Sequence, residues 1–225
     1  DQLPKYAGSP SGRVIHLAVI STGKAYDDGS KIDINQAGSQ AKLNNFIEMA
    51  NREKPDLVIE GGDMVHDGTE PESKKGYQER GKFKSPLYLV NGNHDAHRRG
   101  PFQSPPPEIP PFQSFDQKGA HFILMDNEDA TLSEEQFQRL ENDLKANQGK
   151  PTFVAMHVPA KLSHVSWASH LKKVMPFLAN NTMHIPEQVK RFMNLMSQYQ
   201  VKAVLTGHTH KGDQFVQGGV TYATA

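Results

Sequence analysis

The chain has 225 residues, carries 25 acidic and 25 basic side chains and contains no cysteine. Its length suits a single sizeable domain, and its formal net charge of zero gives no general attraction to nucleic acid or to an anionic membrane. The lack of cysteine excludes disulfides and thiolate metal sites, and no apolar run approaches the roughly 20 residues that a membrane-spanning helix needs.

The first half of the chain is predicted to alternate strands with helices, after an irregular lead-in over residues 1–12. Three runs are almost entirely apolar, which is typical of strands buried on both faces of a sheet: residues 14–20, 57–59 and 87–89. Apolar side chains at helical spacing predict a helix over 37–50, and the highly charged segment 69–84 indicates a solvated helix. Six prolines between Ala96 and Ser114 then predict an extended surface loop.

The second half of the chain continues the same alternation. Strands are predicted at three further apolar runs: residues 121–126, 152–156 and 201–205. A capping box at Ser133 and Gln136 opens one helix, and Pro186 in a first helical turn opens another. A closing hairpin is predicted around Gln217-Gly218-Gly219. The pattern stops part-way at Ala225, which favours a truncated C-terminal end.

Buried strands that alternate with helices predict an α/β layered fold in one domain that spans residues 1–225. In open sheets of this type, ligands gather at the carboxyl ends of the strands. Five residues of metal-binding type follow predicted strands: Asp63, Asn93, His157, His208 and His210. Holding such polar groups at the ends of buried strands is costly unless they have partners. The sequence therefore predicts a metal site, a catalytic site, or both, at this edge of the sheet.

These residues stand in motifs that together resemble the calcineurin-like metallophosphoesterase superfamily: Gly62-Asp63, Gly92-Asn93-His94-Asp95, His157 and Gly207-His208-Thr209-His210. The resemblance implies a β-sandwich flanked by helices, with a site for two divalent metal ions such as manganese, iron or zinc. It also implies that Asp63 bridges the two metals and that His210 binds the first. The second metal's shell would be completed by the other three: Asn93, His157 and His208.

The chemistry that this resemblance implies is phosphoester hydrolysis. Two cations a few ångströms apart can activate a hydroxide and clamp a phosphoryl group for in-line displacement. His94 would then hold the phosphate or protonate the leaving oxygen. Possible support for His94 comes from three neighbouring residues: His66, Asp67 and Asp95.

The sequence departs from the family pattern at the end of the first strand. The family carries an Asp-x-His pair there, which gives two ligands to the first metal, whereas this chain has Thr22 and Lys24. Three explanations remain open. The protein holds one metal strongly and is slow or inactive; Asp27 or Asp28 substitutes for the pair; or the pair is missing from the sequence before Thr22.

Three hypotheses about function follow. The leading one is metal-dependent hydrolysis of a phosphate monoester or diester. The alternative, motivated by Thr22 and Lys24, is a degenerate relative that binds a phosphorylated ligand or partner without turnover. The third is a DNA nuclease, which draws on His66 and the Gly92–Asp95 motif, although zero net charge argues against a nucleic-acid partner. The sequence shows no targeting segment and leaves cytoplasmic and exported locations equally open.

Overall fold

The computed structural model describes residues 17–20, 34–64, 76, 78–95, 109–163, 182–210 and 212–225, with backbone alone for 17–20, 34–40 and 42. The described helices are α1 (Ile34–Glu53), α2 (Glu134–Ala146) and α3 (Pro186–Gln198). None of the described helices is both long enough and apolar enough to cross a membrane. The described strands are β1 (Leu17–Ile20), β2 (Leu57–Glu60), β3 (Leu87–Leu89), β4 (Phe112–Gln117), β5 (Ala120–Met125), β6 (Thr152–Met156), β7 (Ala203–Thr206), β8 (Asp213–Gln217) and β9 (Val220–Thr224).

The described strands form two sheets. The smaller sheet is parallel, with the strand order β1-β2-β3. The larger sheet has the order β4-β5-β6-β7-β9-β8, in which β5, β6, β7 and β9 run parallel and the edge strands β4 and β8 run antiparallel. Helices α2 and α3 connect parallel neighbours of the larger sheet, so successive strands end at the same edge.

Alternate side chains of the larger sheet serve two different cores. On β5, Phe122 and Leu124 pack toward Leu57 and Ile59 of the smaller sheet. Their neighbours on the same strand face α2 and α3. There Ile123 and other sheet residues pack around Phe137 and Phe192 of the two helices. Because successive strand residues point to opposite faces, an apolar run supplies both cores at once.

The outer face of the smaller sheet is covered by α1. Val58 packs against Ala50 of this helix, and Phe83 lies against both this pair and a second pair, Leu43 and Ile47. The layers therefore run from α1 through the smaller sheet and the larger sheet to α2 and α3. This arrangement confirms the predicted α/β layered sandwich flanked by helices.

An edge strand departs from the sequence prediction. The proline-rich loop was expected to extend to Ser114, but β4 begins at Phe112 and pairs antiparallel with β5. Its sequence mixes two phenylalanines with four polar residues, and its burial is only partial, as suits an edge strand. A search for continuous apolar runs therefore does not find β4. The other described boundaries differ from the predictions by a few residues.

The charged segment 69–84 also differs from its prediction as a solvated helix. Residues 78–80 are helical, but the Arg80 side chain is buried. It forms a bidentate ion pair with the buried carboxylate of Glu60. Arg80 Nε donates to Glu60 Oε2 at 2.5 Å, and its Nη1 donates to the carbonyl of Gly76 at 3.1 Å. Residues 69–75 and 77 lie outside the described residues.

A second polar cluster lies at the amino ends of β5 and β6. His121 is buried, and its Nδ1 lies 2.7 Å from Asp116 Oδ1 while its Nε2 lies 3.2 Å from Asp143 Oδ2. Lys150 donates to the other oxygen of Asp116 at 2.5 Å. These contacts tie β4, β5, α2 and the loop before β6 together at one end of the sheet.

The inter-sheet core predicts a stability effect at Phe122. This fully buried ring stacks between Phe115 and Phe153, with centroid distances of 5.4 and 5.3 Å. We expect Phe122→Ala to lower the free energy of unfolding by about 3–5 kcal/mol, since it removes an aromatic side chain and leaves a cavity. Urea unfolding followed by circular dichroism measures this loss.

Val216→Ala is the matched control, because the Val216 side chain is 67% exposed on the edge strand β8. A surface change of this kind should shift the free energy of unfolding by no more than about 0.5 kcal/mol. Equal losses in the two variants would contradict the assignment of Phe122 to the core between the sheets.

Candidate metal centre

Loops that follow four strands bring four of the five predicted metal ligands together. His157 Nε2 lies 3.1 Å from Asn93 Oδ1, 3.0 Å from His208 Nδ1 and 3.5 Å from Asp63 Oδ1. The candidate ligand atoms of Asp63, His157 and His208 all lie within 4.8 Å of one another. We call Asp63, Asn93, His157 and His208 the Asp63 cluster.

A backbone contact fixes which nitrogen of His157 faces the Asp63 cluster. His157 Nδ1 lies 2.6 Å from the carbonyl oxygen of Gly61, so Nδ1 must carry a proton and donate it. In a neutral ring, Nε2 then presents a lone pair to the cluster. A histidine whose other nitrogen donates to a carbonyl is the usual arrangement of a metal ligand.

Two glycines allow the loops after β2 and β3 to touch. A Cβ added to Gly92 would lie 2.3 Å from both the main-chain nitrogen and the Oδ1 atom of Asp63. A Cβ added to Gly62 would lie 2.7 Å from His157 Nδ1, and the φ angle of +93° at Gly62 is also one that glycine adopts readily. The close approach of Asp63 to His157 therefore depends on glycine, which has no Cβ, at both Gly62 and Gly92.

Three predicted ligands adopt backbone angles that are uncommon for residues other than glycine. The φ angles are +58° at Asp63, +71° at His208 and +55° at His210. Such left-handed conformations carry strain and are concentrated at binding and active sites, where the surrounding packing maintains them.

The electrostatics of the Asp63 cluster favour an ionised carboxylate. Burial alone would raise the pKa of Asp63, but the hydrogen bond and positive charge of His157 and the main-chain N–H of His94 lower this pKa to about 2. That N–H donates to Asp63 Oδ1 at 3.0 Å. In the absence of a cation, the pKa of His157 is raised: burial opposes this, but Asp63 outweighs it. A bound cation would supply the positive charge in place of that proton.

Asp95 holds the turn that presents Asn93 and His94. Its Oδ2 accepts from the main-chain N–H of Gly92 at 2.9 Å, and its own N–H donates to the Gly92 carbonyl at 3.1 Å. Asp95 is buried, and burial together with the negative charge of Asp63 raises its pKa to about 7. Asp95 therefore holds the backbone of the turn, and its support of His94 in the reaction stays a prediction.

The remaining predicted site residues are placed differently. His94 is half-buried, and its charge contributes to the low pKa of Asp63. His210 is exposed and lies outside the three-residue group formed by Asp63, His157 and His208. Six residues named in the sequence analysis lie outside the described residues: Thr22, Lys24, Asp27, Asp28, His66 and Asp67.

Sequence reasoning did not identify two buried polar residues near the Asp63 cluster. Glu60 ends the otherwise apolar β2, and its main-chain carbonyl accepts from Val90 at 3.1 Å. Asn127 follows β5, and its side chain bonds the backbone of Val158. The available signal was a polar residue at the end of an apolar run for Glu60, and a polar residue two positions beyond such a run for Asn127.

The profile of the calcineurin-like phosphoesterase family matches residues 15–212 of this chain. The chain belongs to this family. A relative is the 3',5'-cyclic adenosine monophosphate phosphodiesterase CpdA of Haemophilus influenzae. It is 24% identical over 206 residues, which cover 88% of this chain and 70% of that protein.

Solved structures share the fold of this chain. A dimetal phosphatase from Danio rerio superposes with a TM-score of 0.67 at 13% sequence identity, covering 94% of this chain and 87% of the other. The purple acid phosphatase PPD1 from yellow lupin seeds gives a TM-score of 0.66 at 17% identity, covering 93% of this chain and 43% of the other. At these identities the likeness establishes the fold alone.

The close approach of Gly92 to Asp63 leads to a testable prediction. Gly92→Ala should displace Asp63, because the added Cβ would overlap two of its atoms, and the added methyl group cannot move away. We expect the variant to bind manganese at least tenfold more weakly than the unaltered protein, as measured by titration calorimetry.

Gly149→Ala is the control for this measurement. Gly149 also has a left-handed φ angle, +89°, but a Cβ there meets nothing within 4 Å, and the loop lies before β6 at the opposite end from His157. This variant should lose some stability and keep its manganese affinity. Unchanged affinity in Gly92→Ala would show that the Gly92–Asp63 contact does not shape the site.

Proposed function

We propose that this metallophosphoesterase hydrolyses a phosphoester with a divalent cation bound by Asp63, Asn93, His157 and His208. The observation that supports this proposal is the convergence of three potential lone-pair donors on a fourth, His157 Nε2. Atoms that each carry a lone pair and a partial negative charge repel one another unless a proton or a cation lies between them. One carboxylate, one amide oxygen and two imidazoles form a donor set that suits manganese, iron or zinc.

The residues of the Asp63 cluster have separate tasks in this proposal. Asp63 supplies the negative charge, since its pKa of about 2 keeps it ionised at neutral pH. His157 is oriented by the Gly61 carbonyl and is completely buried, so its ring has little freedom to turn. A bound cation would supply Lewis-acid stabilisation of the phosphoryl oxygens and would lower the pKa of water.

His94 is the residue that we propose to act on the substrate. Its main-chain N–H donates to Asp63, and two hydrogen bonds between Asp95 and Gly92 close the turn that contains His94. The backbone of His94 is therefore fixed beside the cluster, and its imidazole is half-buried. Such a group can donate a proton to the leaving oxygen or a hydrogen bond to the phosphate.

We propose that one cation is held much more tightly than any second one. A second cation would share Asp63 and use His210, which is exposed. The sequence offers Thr22 and Lys24 where the family carries its Asp-x-His pair, so further protein ligands are lacking in that motif. A cation with so few protein ligands should be lost first on dilution.

A small phosphodiester is the substrate class that we propose to test first, because the Haemophilus influenzae relative is named as a 3',5'-cyclic adenosine monophosphate phosphodiesterase. The second candidate is binding of a phosphorylated ligand without turnover, which is favoured by Thr22 and Lys24. Chromogenic mono- and diesters and cyclic AMP, each assayed with and without manganese, distinguish these possibilities. Hydrolysis of none of them, together with saturable binding of a phosphorylated compound, would favour the second candidate.

Asp63→Asn and His208→Ala should each abolish manganese-dependent hydrolysis while the protein stays folded. Both residues lie on loops after strands rather than in a hydrophobic core, so their loss opens no large cavity. The measurements are the rate on the diester, the bound manganese per chain and the thermal midpoint.

Asp56→Asn and His184→Ala are the matched controls, since they remove the same chemical groups outside the Asp63 cluster. Both controls should retain the rate and about one tightly bound manganese per chain. Full activity in Asp63→Asn, with manganese still bound, would refute the proposed site.

His94→Ala should lower the turnover number by about 10²–10⁴-fold, the usual contribution of a general acid, with little change in manganese content. His94 is expected to act on the substrate, and its contact with Asp63 uses the main-chain N–H, which alanine retains. Single-turnover rates at saturating manganese give the comparison, with His184→Ala as control. Loss of manganese from the variant would instead assign His94 to the coordination shell.

A further inference from the structure

Asn127 is a buried residue that the proposed reaction does not use. It follows β5, and its side chain is 1% exposed. Its Nδ2 donates to the carbonyl of Val158 at 2.8 Å, and its Oδ1 accepts the N–H of Val158 at 2.9 Å. Both ends of the amide are therefore occupied by the two backbone groups of a single residue.

This pair of hydrogen bonds extends the pairing of β5 with β6. The regular ladder between the two strands ends at Met125 and Met156. Beyond that point the Asn127 amide takes the place of a neighbouring backbone and binds Val158 as another strand residue would. Val158 precedes Pro159, and a residue before proline already favours an extended conformation. The backbone after β6 bends at His157 and Val158, and these contacts hold that bend in place.

His157 lies between these held points. Its own carbonyl accepts the N–H of Gly207, which precedes His208. Its ring is held by the Gly61 carbonyl, and its C-terminal neighbour Val158 is held by Asn127. The position of the His157 backbone is therefore set from β7 on one side and from β5 on the other.

We infer that Asn127 is a positioning residue for the cation site, because it fixes the backbone from which the His157 imidazole reaches the Asp63 cluster. This inference rests on the proposed function. A metal ligand that moves by a fraction of an ångström weakens the whole coordination shell, and loss of an orienting partner typically costs about 10–100-fold in metal affinity.

The decisive comparison is between Asn127→Ala and Leu140→Ala. Asn127→Ala leaves the N–H and carbonyl of Val158 without their partner, which lowers stability as well as order around His157. Leu140 is fully buried on the side of the larger sheet that faces the helices, so Leu140→Ala lowers stability without contact to the Asp63 cluster. Both are studied at a temperature where each variant is folded.

Manganese binding, measured by titration calorimetry, is the readout. We expect the dissociation constant of Asn127→Ala to rise by about 10–100-fold and that of Leu140→Ala to change by less than about twofold. Because His157 contacts the cation and not the substrate in this proposal, the turnover number of Asn127→Ala should recover at saturating manganese. Asn127→Asp retains the acceptor for the Val158 N–H and should fall between the two.

Equal manganese affinities in Asn127→Ala and Leu140→Ala would overturn the inference and leave the proposed function standing. If Asn127→Ala does not fold, Asn127→Asp carries the same comparison. Failure of both variants to fold would show that Asn127 serves the fold as a whole, which also overturns the inference. Absence of manganese binding and turnover in the unaltered protein would instead overturn the proposed function itself.

Discussion

The hydrogen bond between His157 Nδ1 and the Gly61 carbonyl is the contact on which the rest of the site depends. It joins the end of β6 in the larger sheet to the end of β2 in the smaller one. Because it consumes Nδ1, it also decides that Nε2 faces Asp63. One bond therefore links the two sheets at their shared edge and determines which ring nitrogen of His157 faces the cluster.

The loops at this edge, with their strained backbone and buried polar atoms, follow strands that pack closely against one another. A row of aromatic rings runs from Tyr88 of the smaller sheet through Phe115 and Phe122 to Phe153, with centroid distances of 4.0 to 5.4 Å. Close packing of this type offers no continuous deformation through which the loops could relax. The loops that hold Asp63 and His208 in left-handed conformations follow strands of this core.

The sequence predicts those parts of the fold that depend on short-range patterns. Continuous apolar runs mark the parallel strands, and the capping box at Ser133 forms as predicted. β4 is not predicted, since an edge strand buries little and carries no strong apolar signal. Arg80 and Asn127 are not predicted either, because their burial depends on partners 20 and 31 residues away in the chain. Four of the five metal-type residues after the strands lie close together, as expected for strands that end at one edge. The exposed position of His210 depends on a loop conformation that spacing alone does not specify.

The cluster of His121, Asp116 and Asp143 lies at the opposite end of β5 and β6 from His157. Five residues of β6 separate the two ends, a distance of roughly 16 Å at about 3.3 Å per residue. The amino edge of the larger sheet thus carries a cluster of polar contacts that joins the strands, while the carboxyl edge carries the candidate metal site. During evolution, this separation means that folding stability and activity can be altered independently. Substitutions that raise stability at the amino edge can offset stability lost when loops at the carboxyl edge change to bind a new substrate.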